Sequence, residues 1–111
     1  MTPTEHLIAA RALIARPENW TKHTAARDSH GQVVYSDNPR AVCWCTIGAL
    51  AKTAKGRDPL AANDLIFLQI RENPDIEEDS IDGYNDAPET THANILALFD
   101  KAIAAASKEG N

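Results

Sequence analysis

Aromatic residues make up only 5% of this 111-residue chain, and glycine occurs five times. A β-sandwich draws on aromatic residues, so their shortage, with alanine supplying much of the apolar content, favours close helix packing over a sheet sandwich. No apolar run approaches the roughly 18 residues that suggest a membrane span, and the N-terminal residues carry no basic-then-apolar leader pattern. The expectation is a cytoplasmic protein that does not enter a membrane. Cysteine is limited to Cys43 and Cys45. Neighbours that close are poorly placed to bridge each other, which points to reduced thiols rather than a disulfide scaffold. Structural zinc is also disfavoured. C-x-C falls short of the usual C-x2-4-C spacing, and His6, His23, His30 and His92 form no ligand pair. No metal or cofactor is expected.

Alanine and aliphatic residues supply most of the apolar content, with a net charge of −5. By area scaling, a chain of this size buries roughly 65% of its unfolded surface, enough for one core without staples. One domain is expected over residues 1–111. The fold class is mainly α: a compact bundle of about four helices, with a short β-hairpin between helices 1 and 2.

Thr4 is a candidate cap for helix 1, whose stripe Leu7, Ala10 and Ile14 runs toward Arg16 before Pro17 stops it. Asp28-Ser29-His30-Gly31 is a turn signal beside the alternating Val33 and Tyr35, hence the hairpin. Asn38-Pro39 looks like a cap followed by proline at the first helical position, predicting a second helix to about Lys55 with Gly56 ending it. Asp58-Pro59 repeats the signature for a third helix ending at Asn73-Pro74. Thr90 or Thr91 caps a fourth, with Ile95, Leu98, Phe99, Ala102 and Ile103 on its apolar face, closing near Gly110.

Charge is unevenly distributed. Residues 1–71 hold nine basic and six acidic side chains, whereas residues 72–89 hold eight acidic ones and no Lys or Arg. A segment of that sign repels a phosphate backbone, so direct nucleic-acid binding is not expected through it. It suits a protein partner with a basic surface. The candidate binding residues are Asp75, Glu77, Glu78, Asp79, Asp82, Tyr84, Asn85 and Asp86, in an acidic loop whose Tyr84-Asn85-Asp86 triplet forms a turn. Asp75, Glu77, Asp79 and Asp86 fall at positions 1, 3, 5 and 12 of a calcium-type loop. Ser80 stands where glycine makes the turn, however, and Asp82 where an apolar residue belongs. A solvated acidic loop is the better account.

Cys45 is the alternative centre of chemistry. A thiol hydrolase or transferase needs a base and an orienting group, and His92 with Asn85 or Asp86 supplies the types. A helix beginning near Trp44 would lower the thiol pKa through its N-terminal amides. One beginning at Asn38-Pro39 would bury Cys45 two turns inside. In the latter case Cys45, Gly48 and Ala49 make a low-relief face for another helix, or for a second copy in a homodimer.

Trp20, the block Trp44-Cys45-Thr46-Ile47-Gly48-Ala49-Leu50, the triplet Tyr84-Asn85-Asp86 and a Thr-capped final helix together resemble a family of small bacterial and bacteriophage proteins. That family is catalogued as a domain of unknown function. The similarity spans about Leu7 to Ala105. Tyr84 stands where the family often has Trp, and Cys43 lies outside its pattern. The resemblance implies a shared compact fold and a bacterial or phage setting, and it implies no activity. The expected role is a non-enzymatic interaction domain.

Overall fold

The computed structural model describes residues 1–55 and 57–110. The elements are α1 (Pro3–Leu13), a 3-10 turn (Pro17–Asn19), β1 (Ala26–Arg27), β2 (Val33–Val34), β3 (Cys43–Trp44), α2 (Thr46–Ala54), α3 (Leu60–Glu72), α4 (Ile81–Asp86) and α5 (His92–Lys108). The mainly helical expectation holds, as does the hairpin between the first two helices.

Leu7, Ala10 and Ile14 along α1 face Ala49 and Leu50 of α2, Ile66 and Ile70 of α3, and Ile95, Phe99 and Ala102 of α5 in one core from which water is excluded. Helix α1 packs against both α2 and α5, and α3 closes over α5. Alanines at 10, 49, 62, 102 and 106 are buried, which lets these helices approach closely. Helix α5 begins with reciprocal bonds between Thr91 and Asn94, which satisfy amides that the helix leaves unpaired.

Several boundaries differ from the sequence expectations. Helix α1 is capped by Thr2, which exchanges bonds with Glu5, so Thr4 lies inside the helix. It ends at Leu13, short of Arg16, because Arg16 precedes Pro17 and is driven to extended backbone. Helix α3 has Pro59 at its N-cap, with Asp58 Oδ1 accepting from the Leu60 amide. Lys55, in the left-handed region at φ 54°, caps the end of α2. The assignment of that end to Gly56 lies outside the described residues.

The largest correction concerns Asn38-Pro39, which starts no helix. Asn38 closes a turn, its side chain accepting from the Arg40 amide and its carbonyl from Ala41. The chain then extends as β3 and pairs with β1, giving a three-stranded antiparallel sheet of order β2-β1-β3 in which Ala26 lies between Val34 and Trp44. The physical reason is Trp44. Its ring is buried and its indole N–H donates to the Ser36 carbonyl at 2.9 Å, an arrangement that needs extended backbone. Helix α2 therefore starts at Thr46, with Cys45 as its cap. A further correction is α4: the acidic segment is not loop throughout, and Tyr84-Asn85-Asp86 is helical rather than a turn. Ser80 caps α4 by accepting from the Gly83 amide, while Ile81 is buried beneath it.

Candidate functional site

Asn85 sits at the junction of three segments and is completely buried. Its Oδ1 accepts from the Trp20 indole N–H at 2.8 Å, the Thr46 amide at 3.0 Å and the Thr46 hydroxyl at 2.8 Å. Its Nδ2 donates to the Thr21 carbonyl at 3.1 Å and to Asp86 Oδ1 at 2.9 Å. One amide side chain thus ties α4 to the segment 20–23 and to the first turn of α2. Asp86 continues the tie by accepting the His23 amide at 2.8 Å, and Lys22 Nζ donates to the Ala87 carbonyl at 2.7 Å. The residues expected to form a recognition cluster are therefore divided. Asn85 joins secondary-structure elements and is not presented to solvent.

Cys45 lies at this junction. Its Sγ accepts from the Gly48 amide at 3.3 Å, and its own amide donates to the Ala25 carbonyl at 3.1 Å. Gly48 is required here, because a Cβ would collide with that same Ala25 carbonyl. The face made by Cys45, Gly48 and Ala49 is accordingly buried within the chain. A cavity of about 130 Å³ beside the sulfur is lined by His23, Thr24, Ala25, Cys45, Ile47, Asp82 and Asp86. Cys45 is at a helix N-terminus, which favours a thiolate, but burial favours the neutral thiol more strongly. Asp82 and Asp86 add repulsion, and the net effect pushes its pKa up. Burial, together with Asp86, also raises the Asp82 carboxyl.

His92 does not line this cavity. Its Nε2–H donates to the Ile14 carbonyl at 2.7 Å, and its ring lies 5.9 Å from that of Trp20. The histidine at the cavity is His23, whose Nδ1 is 4.0 Å from Asp86 Oδ2 and whose backbone is held at φ 73°. That left-handed conformation is uncommon for a residue with a Cβ, and the bond from its amide to Asp86 secures it.

On the other side of α4 an open groove of about 470 Å³ is lined by Asn73, Asp75, Ile76, Glu77, Glu78, Tyr84, Glu89, Thr90 and Asn94. No basic side chain among the described residues lines it. Among the described residues, none of its four carboxylates is in an ion pair. Burial, with Glu78 nearby, raises the pKa of the Tyr84 phenol, which like any phenol is a protonated donor at neutral pH.

A family model described as a family of unknown function, DUF6197, matches residues 1–105. The chain belongs to this family. No curated protein and no solved structure matches it. No helix among the described residues of this DUF6197 chain is long and apolar enough to cross a membrane.

Of the eight binding residues expected from sequence, the DUF6197 fold gathers Asp75, Glu77, Glu78 and Tyr84 in the groove. It places Asp79 at an adjoining recess and sends Asp82 and Asp86 to the Cys45 cavity. Sequence reasoning missed Glu89, Asn73, Asn94 and His23. Glu89 was within reach, since it belongs to the same acidic run. Asn73, Asn94 and His23 carry no local signal, because only the packing of distant segments brings them to their cavities.

Proposed function

We propose that this chain is a non-enzymatic docking module whose acidic groove takes a basic segment of a partner protein. The observation carrying this reading is a groove walled by Asp75, Glu77, Glu78 and Glu89, with, among the described residues, no cation in its lining and no ion pair using those charges. Tyr84 adds an aromatic body with a donor tip, suited to lie against the stem of a Lys or Arg. Exposed pairs contribute about 0.5 kcal/mol each, so four give roughly 2 kcal/mol, or about 30-fold in affinity at low salt.

The test is fluorescence anisotropy with a lysine-rich octapeptide at low and high salt. The expected result is salt-sensitive binding that weakens about 30-fold when Asp75, Glu77, Glu78 and Glu89 are changed together to their amides. Binding unaffected by that substitution, or no binding to the unaltered protein, would overturn the proposal.

Thiol chemistry at Cys45 is a second function favoured by one observation, the cavity that Cys45 shares with His23 and Asp86. In that scheme His23 replaces His92 as base and Asp86 orients it. The raised thiol pKa argues against it, which is why the groove is preferred. Rapid alkylation of Cys45 in the folded protein near neutral pH, slowed by His23→Gln, would reverse the preference.

A further inference from the structure

Beside the acidic groove lies an apolar recess of about 290 Å³, formed by Phe67 and Ile70 of α3 with Ile76, and rimmed by Arg71, Glu78 and Asp79. Ile76 and Glu78 also line the groove, so the two depressions share a wall. Phe67 is 37% exposed and the neighbouring Leu68 40%, large apolar side chains left on the surface of a helix whose opposite face is core.

We propose that recess and groove form one bipartite site for a linear peptide in which a large apolar residue is flanked by Lys or Arg. The apolar side chain enters the recess against Phe67 and Ile76, and the basic flank lies along the groove. This rests on the groove reading above and adds the apolar anchor to it. Charge complementarity selects the occupant. An uncharged apolar partner covering the recess would desolvate Glu78 and Asp79 without pairing them, and an acidic one would be repelled. Among the described residues Arg71 is the single cation lining the recess, set against Glu78 and Asp79 there and Asp75, Glu77 and Glu89 in the groove. A basic flank meets all of these carboxylates, while the buried anchor supplies affinity that salt does not screen.

The experiment compares three fluorescein-labelled peptides: leucine flanked by two lysines on each side, the same peptide with alanine for leucine, and leucine flanked by aspartates. Each is titrated against the full chain and its Phe67→Ser variant, at 50 and 300 mM salt, with circular dichroism checking the variant's fold. The unaltered protein should bind the leucine–lysine peptide about tenfold or more tighter than the alanine peptide, with the ratio kept at high salt. Phe67→Ser should weaken the leucine–lysine peptide and bring that ratio within twofold. Equal binding of the leucine and alanine peptides by the unaltered protein would overturn the anchor and leave the groove reading standing, whatever the variant does. Tight binding of the aspartate peptide would overturn the charge argument, and no binding of any peptide would remove groove and anchor together. Self-association by light scattering that Phe67→Ser abolishes would assign the recess to a second copy and also overturn the proposal.

Discussion

Replacing Asn85 with alanine should be among the most damaging single changes available in this chain. The substitution removes the acceptor shared by the Trp20 indole, the Thr46 amide and the Thr46 hydroxyl, and the donor to the Thr21 carbonyl. Thr46 is fully buried, so water cannot replace its lost partner, whereas Trp20 is half-buried and pays less. Each orphaned buried group costs about 1–3 kcal/mol, which gives roughly 3–5 kcal/mol in total. Domains of this kind are typically stable by about 5–15 kcal/mol, so that is a large share of the whole. At about 4 °C per kcal/mol, the thermal midpoint should fall by roughly 12–20 °C. Urea unfolding followed by circular dichroism measures the loss, and tryptophan emission reports the freed Trp20 indole. The reasoning can be tested more sharply with Thr46→Val. That change alone should cost about 1 kcal/mol, and in combination with Asn85→Ala the total should fall about 1 kcal/mol short of the sum, because the stranded hydroxyl is gone. An Asn85→Ala loss below about 1 kcal/mol, or strictly additive effects, would refute the role assigned to Asn85.

Gly48→Ala should destabilise by roughly 2–3 kcal/mol, since the added methyl is driven into the Ala25 carbonyl; a lowered urea midpoint at unchanged slope is the expected signature. In a Cys43→Ser background, Cys45 should alkylate at least tenfold more slowly than a free thiol at pH 8. Because its folded pKa is raised, its stability contribution is complete below the ordinary thiol value of about 8.5 and declines as pH rises through the folded value. Cys45→Ser keeps a capping oxygen and should flatten that alkaline decline in urea titrations. Asp28 behaves in the opposite sense: the Gln32 and His30 amides hold its carboxyl below the usual range, so its contribution is present above about 3.9 and lost as pH falls through the lower folded value. Asp28→Asn should make the acid limb of the unfolding curve shallower below about pH 4.

The helical core was legible because its signals are local. Leu7, Ala10 and Ile14 recur at helical spacing, and Thr91 caps α5 through the Asn94 amide and is capped in return. The Asn38-Pro39 signature misled for a reason outside its own residues. The turn it makes is the same whether a helix or a strand follows, and the buried Trp44 ring and the open edge of β1 decided for a strand. Helix α4 was hidden because six residues rich in Asp and Gly carry little helix propensity. Its stability comes from the buried Ile81 and Asn85, and Asn85 finds its partners on segments more than thirty residues away.

Sequence alone determined the mainly helical class, the hairpin and the concentration of negative charge in residues 72–89. Periodicity, turn chemistry and charge count are properties of neighbours along the chain. Only the tertiary structure decided what the polar residues do. It made Cys45 a helix cap beside His23 instead of His92, and Asn85 a buried tie between segments. It also split the acidic run between a groove and the thiol cavity. Those roles depend on burial and on hydrogen-bond partners up to 65 positions apart, such as Trp20 and Asn85, and no local pattern encodes them.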